Sequence, residues 1–422
     1  MNIGTSQIDI TPEPGIDLSG FAARRQPSTG VLDRLYARAL YLSYSEEKLL
    51  WLHCDLIGLE HKFVSAFRIW AHEHIGIASR QIILSTTHTH AGPPTLHIQE
   101  TGTYNSAYVH YLMKRLEETA QQAYCHQEES EVVAVEGISN LAVDRHSATS
   151  PQTDPAVAAI AWRRKDGTFI AALINYPMHA VALGCNNRDI SADIPGQIAE
   201  ATAKKLPGNP IVLATTGACG NLNPPAENVS AQQVRTWGEQ IADAVIPLLS
   251  QAAALNDPIL KVTSRNFPIS LEVLSPPEIH EYAKSISTDA KSVSEWGDKF
   301  QRAVAAWKRT MLHAVARPEH TDTTDAELFL IRIGSIVLVG INAELFSSFT
   351  NMLRRQTGKT IYTICYANGV VGYLPDAAAY KQGGYEVNIA HIFYNSFRPR
   401  AGSLELLADA TVHEIQNIFK EL

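Results

Sequence analysis

Two histidines two residues apart, His88 and His90, stand in Thr87-His88-Thr89-His90-Ala91-Gly92-Pro93, directly after the apolar run Ile82-Ile83-Leu84-Ser85. The run reads as a buried strand and Gly-Pro as the turn that ends it. Residues two apart on a strand share a face, so the spacing predicts both imidazoles projecting together from the strand end. Paired imidazoles on a rigid platform suit a metal ion, an oxyanion or a proton transfer. A hydrogen-bonded loop pair accounts for the same residues, and the rest of the chain decides between them.

Other chemistry-bearing residues recur just past apolar runs. His179 closes Asn175-Tyr176-Pro177-Met178-His179 after the strand-like Phe169 to Ile174, where α/β sheets gather their ligands. Asp193, in Ser191-Ala192-Asp193-Ile194-Pro195-Gly196, fits a helix N-terminus with Pro195 in the first turn. Capping is preferred there over a carboxylate that orients a metal-bound histidine. Two glycines in Thr216-Gly217-Ala218-Cys219-Gly220-Asn221-Leu222-Asn223-Pro224 permit close backbone approach. Asn221 and Asn223 offer amide donors to an oxyanion. Glu344 lies where an apolar run meets a helical one. A helix dipole would favour it, and so would a cation among its apolar neighbours. Tyr373, Tyr380 and Tyr385 follow in a Gly-rich segment, either filling surface gaps or lining a pocket.

The elements that must position these residues are legible as an alternation. Strand-like runs recur at 35–44, 49–54, 81–85, 132–135, 157–162, 169–175, 211–214, 260–267, 327–333, 336–341 and 361–366. Helical patterns lie between them: the face Phe63, Val64, Phe67, Trp70; the stretches 107–124, 198–206, 300–315 and 404–419; and the stripe Val234, Trp237, Ile241, Val245, Leu248. The expected fold is α/β, with mixed sheets packed with helices in layers. We expect one domain over 1–422, with 255–324 as a helical insertion or cover.

Composition sets bounds. Of 422 residues, 45% are hydrophobic and 18% charged, the net charge is −8, and the pI is near 6.1. These are values of a globular protein with ample core. No basic run supports a nucleic-acid partner, and no apolar run is long enough to span a bilayer. Five scattered cysteines without C-x-x-C spacing and an N-terminus without signal-peptide character give the expectation of a cytoplasmic protein with reduced thiols. Oligomeric state is left open.

The ordered set of motifs resembles the neutral/alkaline ceramidase family over nearly the whole chain. The matching pieces are Ile8-Asp9-Ile10-Thr11-Pro12, Gly15, Gly20-Phe21 and Arg24; the His88/His90 motif; Arg145; Asn175-Tyr176 and His179; Asp193-Ile194-Pro195-Gly196; Gly220-Asn221-Leu222-Asn223-Pro224; Glu344; and Asn368 through Tyr385. The resemblance implies a ceramidase-like catalytic domain with zinc ligands at His88, His179, Glu344 and Tyr373. It also implies groups that hold the scissile amide or its oxyanion at His90, Arg145 and Tyr385. Two departures stand out. The family's catalytic Ser is Asn223 here, which has no hydroxyl nucleophile, so hydrolysis would use water activated by zinc. The chain also ends at the stretch 404–419, where the family carries an immunoglobulin-like domain.

The expected function is zinc-dependent hydrolysis of a C–N bond in a small, soluble, anionic substrate, with Arg145 clamping a carboxylate and little activity on ceramide. The alternative is a zinc-dependent lyase or other enzyme acting on a carboxylate-bearing sugar or lactone. A non-catalytic binding protein is disfavoured by the complete ligand set.

Overall fold

The computed structural model describes residues 1–147, 149–288, 294–317, 319 and 321–420. Three sheets make up its frame. The first runs in the order Ile82–Thr86, Glu47–Cys54, Tyr36–Tyr44, Asn2–Asp9, Gln127–Glu129. The second is Ile211–Thr216, Phe169–Tyr176, Ala156–Arg163, Glu131–Ile138, and the third is Leu260–Ser270, Thr323–Ile333, Ile336–Ile341, Thr360–Ile364. All three are mixed in the same way. Neighbours pair antiparallel except for one parallel pair at an edge: Glu47–Cys54 with Ile82–Thr86, Phe169–Tyr176 with Ile211–Thr216, and Ile336–Ile341 with Thr360–Ile364. Layered α/β architecture with mixed sheets is therefore the observed fold.

The sheets share an apolar centre to which all three contribute, including Leu40, Trp51, Ile83, Ile160, Trp162, Leu173, Phe329, Leu338 and Ile364. These strands are apolar on both faces because helices cover their outer sides. His61–Ile75 and Ser106–Cys125 cover the first sheet through Phe63, Val64, Phe67, Leu112 and Leu116. Asp193–Lys205 and Ala231–Asp243 pack with the second sheet, and Ser348–Thr357 and Ser403–Lys420 with the third.

The three parallel edges meet one another. Thr216 Oγ1 donates to Thr87 O, Cys365 N to Thr216 O, and Asn368 N to Leu84 O. An exposed sheet edge is an unsatisfied row of backbone groups, and here the ends of three such edges satisfy each other. His88, His179, Glu344 and Tyr366 each follow the carboxyl end of a strand in one of these parallel pairs.

Several expectations change in detail. The opening segment Asn2–Asp9 is a strand central to the first sheet, although its mixed polarity hid it. The stripe from Val234 to Leu248 is two helices, Ala231–Asp243 and Ile246–Gln251, because Pro247 opens the second and cannot continue the first. Within 255–324, the strand expected at 260–267 is present as Leu260–Ser270 and belongs to the third sheet. The helices Pro276–Ser287 and Asp298–Val315 that follow pack on each other around Ile279, Phe300, Val304 and Trp307, and against Ile392, Phe393 and Phe397. Residues 289–293, 318 and 320 of that stretch lie outside the described residues. Among the described residues no helix is long and apolar enough to cross a membrane.

One buried ionic knot ties the frame to the site. Arg68 makes a bidentate pair with Glu327, at 2.6 Å and 3.0 Å. Glu327 also accepts from Ser264 Oγ and from Asn368 Nδ2, while Asn368 Oδ1 accepts Leu84 N. Removing one partner of a buried pair strands the other charge. Arg68→Ala should therefore cost about 3 kcal/mol, read as a lowered urea midpoint, and adding Glu327→Gln should restore part of it.

Candidate metal centre

His88, His179 and Glu344 converge from the three sheets. His88 Nε2 lies 3.4 Å and His179 Nε2 3.0 Å from the same oxygen, Glu344 Oε2. All three side chains are buried, at 2% exposure or less. Both histidines are turned by backbone carbonyls: His88 Nδ1 contacts Ile57 O at 2.6 Å, and His179 Nδ1 contacts Cys219 O at 2.7 Å. A carbonyl only accepts, so each Nδ1 carries the proton and each neutral ring presents a lone pair at Nε2. Three acceptors then face one point, an arrangement that repels unless a proton or cation sits between them. The phenol of Tyr373 reaches the same point, with its oxygen 3.4 Å from His179 Nε2. Tetrahedral zinc with bonds of about 2.0–2.1 Å spaces its ligand atoms about 3.3 Å apart. The donor set and its spacing fit a divalent cation.

The backbone that delivers these groups departs from the strand-end picture. The strand stops at Thr86, and His88 has φ 59° in the left-handed region. The two imidazoles of the H-x-H motif do not project as strand neighbours. Their rings meet edge to face at 4.9 Å. Glu344 is not at a helix start: it pairs in parallel register with Tyr373, and the helix begins at Ser348. Asp193 accepts from Leu183 N and Ile194 N, and no hydrogen bond joins it to His88 or His179, in keeping with a structural role.

His90 lies beside the cluster, its ring 6.3 Å from that of His179 and edge-on to Phe21 at 4.9 Å. Neither of its buried ring nitrogens has a hydrogen-bond partner. Burial pushes its pKa well down, so the ring is neutral. The loop against it must be glycine at position 20: its φ is +94°, and a Cβ there would stand 2.3 Å from His90 Nδ1. Arg24 anchors that loop, donating to the carbonyls of Leu18, Ser19, His90, Gly184 and Asn187.

Arg145 is part of the site but is not a free cation. Its Nε pairs with Glu386 Oε1 at 2.9 Å, and its Nη2 donates to Gly220 O at 3.0 Å and to the Tyr373 hydroxyl at 2.9 Å. Glu386 Oε2 in turn holds His146 Nδ1 at 2.9 Å. Tyr385 borders Arg145, whose guanidinium carbon lies 6.0 Å from its ring centre, and its ring is 5.9 Å from that of Tyr373. Burial raises its pKa and keeps the phenol protonated. Asn223 Nδ2 donates to Glu227 Oε1 at 2.8 Å, while its Oδ1 is buried without a partner. Asn221 is scaffolding: it donates to Gln152 O and accepts from Ser347 N. Tyr380 points elsewhere, to Pro399 O.

Three groups at the centre were not anticipated as site residues. Tyr366 stacks on His88 at 3.8 Å, Tyr394 donates to Glu344 Oε1, and Glu386 pairs with Arg145. Tyr366 follows its strand by two residues, the same offset as His88, and that offset was the available signal. Tyr394 lies in an apolar stretch that carries none.

The profile of the neutral/alkaline non-lysosomal ceramidase N-terminal domain matches residues 1–217, and the chain belongs to this family. Membership makes it a hydrolase acting on C–N bonds. Its fold is that of a neutral ceramidase from Pseudomonas aeruginosa, with TM-score 0.74 and 15% identity over 97% of this chain and 73% of that one. A ceramidase complexed with C2 is equally similar, with TM-score 0.75 and 15% identity over 99% of this chain and 75% of that one. No curated protein sequence matches.

The ion pair of Glu386 makes a direct prediction. Glu386→Gln removes the anion that fixes Arg145 and His146. We expect a crystal structure of this variant to show the Arg145 guanidinium displaced from Tyr373, and turnover to fall by about tenfold or more, the usual scale for loss of an outer partner at a metal site.

Proposed function

We propose that the chain hydrolyses the amide bond of an N-acylated substrate, with zinc held by His88, His179, Glu344 and Tyr373. The observation that carries the proposal is the convergence of two carbonyl-oriented imidazoles on one carboxylate oxygen. Among biological metals, two imidazoles with a carboxylate and a phenol suit zinc. Zinc, when bound, supplies a Lewis acid that polarises the scissile carbonyl and makes water nucleophilic at neutral pH.

The protein's own groups divide the remaining work. His90, neutral and unpartnered, donates a hydrogen bond from a ring N–H to the scissile carbonyl oxygen as negative charge develops there. Tyr385 keeps its phenolic proton and donates a hydrogen bond to the oxyanion. Arg145 acts through Tyr373: burial raises the pKa of this phenol well above its usual value, and the guanidinium at 2.9 Å works against that rise, so a bound cation would have to complete the loss of the proton. Asn223 replaces the family's hydroxyl with an amide already committed to Glu227, so it serves as a donor that shapes the pocket and not as a nucleophile.

The substrate class follows from what borders the centre. The expectation of an anionic substrate rested on Arg145, and Glu386 has neutralised that cation. The same engagement removes the carboxylate clamp that a uronate-directed lyase would use. The neighbouring surface is aromatic: Trp296 lies 5.9 Å from Tyr385 and 5.4 Å from Phe393, and Phe21 borders His90. An apolar acyl group fits such a wall, as it would in ceramide or a simpler N-acyl amine.

Two outcomes are expected. Purified protein should contain one zinc per chain, and His179→Ala should lose most of it; full retention in that variant contradicts the ligand assignment. In water enriched in oxygen-18, cleavage of N-acyl amines should place one heavy oxygen in the released acid, with turnover rising with acyl length and falling when the substrate carries a carboxylate. Formation of an unsaturated product, or a preference for N-acyl amino acids, would contradict it.

A further inference from the structure

Glu344 is gripped from both sides by phenols. The Tyr394 hydroxyl donates to Oε1 at 2.5 Å, and the Tyr366 hydroxyl donates to Oε2 at 3.2 Å. Tyr366 also lies 3.3 Å from His179 Nε2, stacks on His88 with rings 5° from parallel, and rests 3.4 Å from Cys219 Sγ. It is fully buried and held at φ 56°. The left-handed region is unusual for a bulky side chain and marks a conformation imposed by its surroundings.

Of the three phenols at the centre, Tyr366 and Tyr373 both reach His179 Nε2, and their other partners differ. The Tyr373 hydroxyl accepts from the guanidinium of Arg145 at 2.9 Å. Tyr366 has a thiol, an imidazole and the carboxylate. Its proton is best used toward Glu344. With Oε1 occupied by Tyr394, the carboxylate has one oxygen to give.

We propose that Tyr366 and Tyr394 are positioning residues that hold the two oxygens of Glu344 apart in role, so that this carboxylate meets a metal through Oε2 alone and leaves a coordination position for substrate. The proposal rests on the metal reading of the site. A carboxylate freed from both phenols can swing to chelate through both oxygens, raising the coordination number. Fixing a ligand carboxylate by outer hydrogen bonds is a general means of tuning a metal site.

The test uses cobalt(II) as the probe, with affinity measured by competition against a chelator and the visible spectrum recorded on the full chain. The double variant Tyr366→Phe/Tyr394→Phe keeps both rings and loses both hydroxyls. It should bind cobalt about 10–100-fold more weakly, and its visible bands should lose intensity as coordination number rises. Tyr394→Phe alone should change both in the same direction by less. An unchanged spectrum and affinity in the folded double variant overturns the proposal. If that variant does not fold, an unchanged Tyr394→Phe overturns it instead. Failure of the wild-type chain to bind cobalt or zinc overturns the metal reading, and this proposal with it; binding by the wild type that is indifferent to both hydroxyls overturns this proposal alone.

Discussion

Two backbone carbonyls, those of Ile57 and Cys219, determine what the centre can do. By accepting hydrogen bonds from the Nδ1–H groups of His88 and His179, they fix both tautomers and point two lone pairs at Glu344 Oε2. A buried group of three acceptors is unstable by itself. The fold must then hold it against that repulsion, and most of the surrounding architecture does so.

The restraint is built from three sheets, not one. Each carries a single parallel pair at its edge, and the carboxyl ends of those pairs meet. Crevices at the carboxyl ends of parallel strands collect ligands because loops leave there together. In this chain three such crevices coincide, so His88, His179 and Glu344 each come from a different sheet. No local distortion of one sheet can move all three. Arg24 fastens the opening loop over His90, and the Arg68–Glu327–Asn368 knot fastens the loop leading to Tyr373. Arg145, paired with Glu386, sets Tyr373. These cations serve geometry, which explains why the site can be rich in arginine without offering a free positive charge to substrate.

Much of this was legible in the sequence, for identifiable reasons. Strands buried on both faces appear as plain apolar runs, and 336–341 and 169–175 could be read almost to the residue. The centre was legible because its residues follow those runs at short offsets. What escaped depended on tertiary pairing. Asn2–Asp9 alternates too weakly to announce a central strand. The left-handed turn at His88 cannot be inferred from residue type, since only the packed sheets impose it. The ion pair of Arg145 was invisible because Glu386 lies 241 positions away, and only the fold shows that this cation already has a partner. Tyr366 and Tyr394 were missed for a related reason: a tyrosine among apolar residues looks like packing until its hydroxyl is placed.

The central claim is that His88, His179 and Glu344, with Tyr373, form one metal site. Diffraction from crystals of the purified protein on both sides of the zinc absorption edge tests it most directly. The account predicts one strong anomalous peak per chain, within about 2.3 Å of His88 Nε2, His179 Nε2 and Glu344 Oε2. A fully folded chain with no peak there after growth with added zinc, or with its only peak on surface residues, would contradict it.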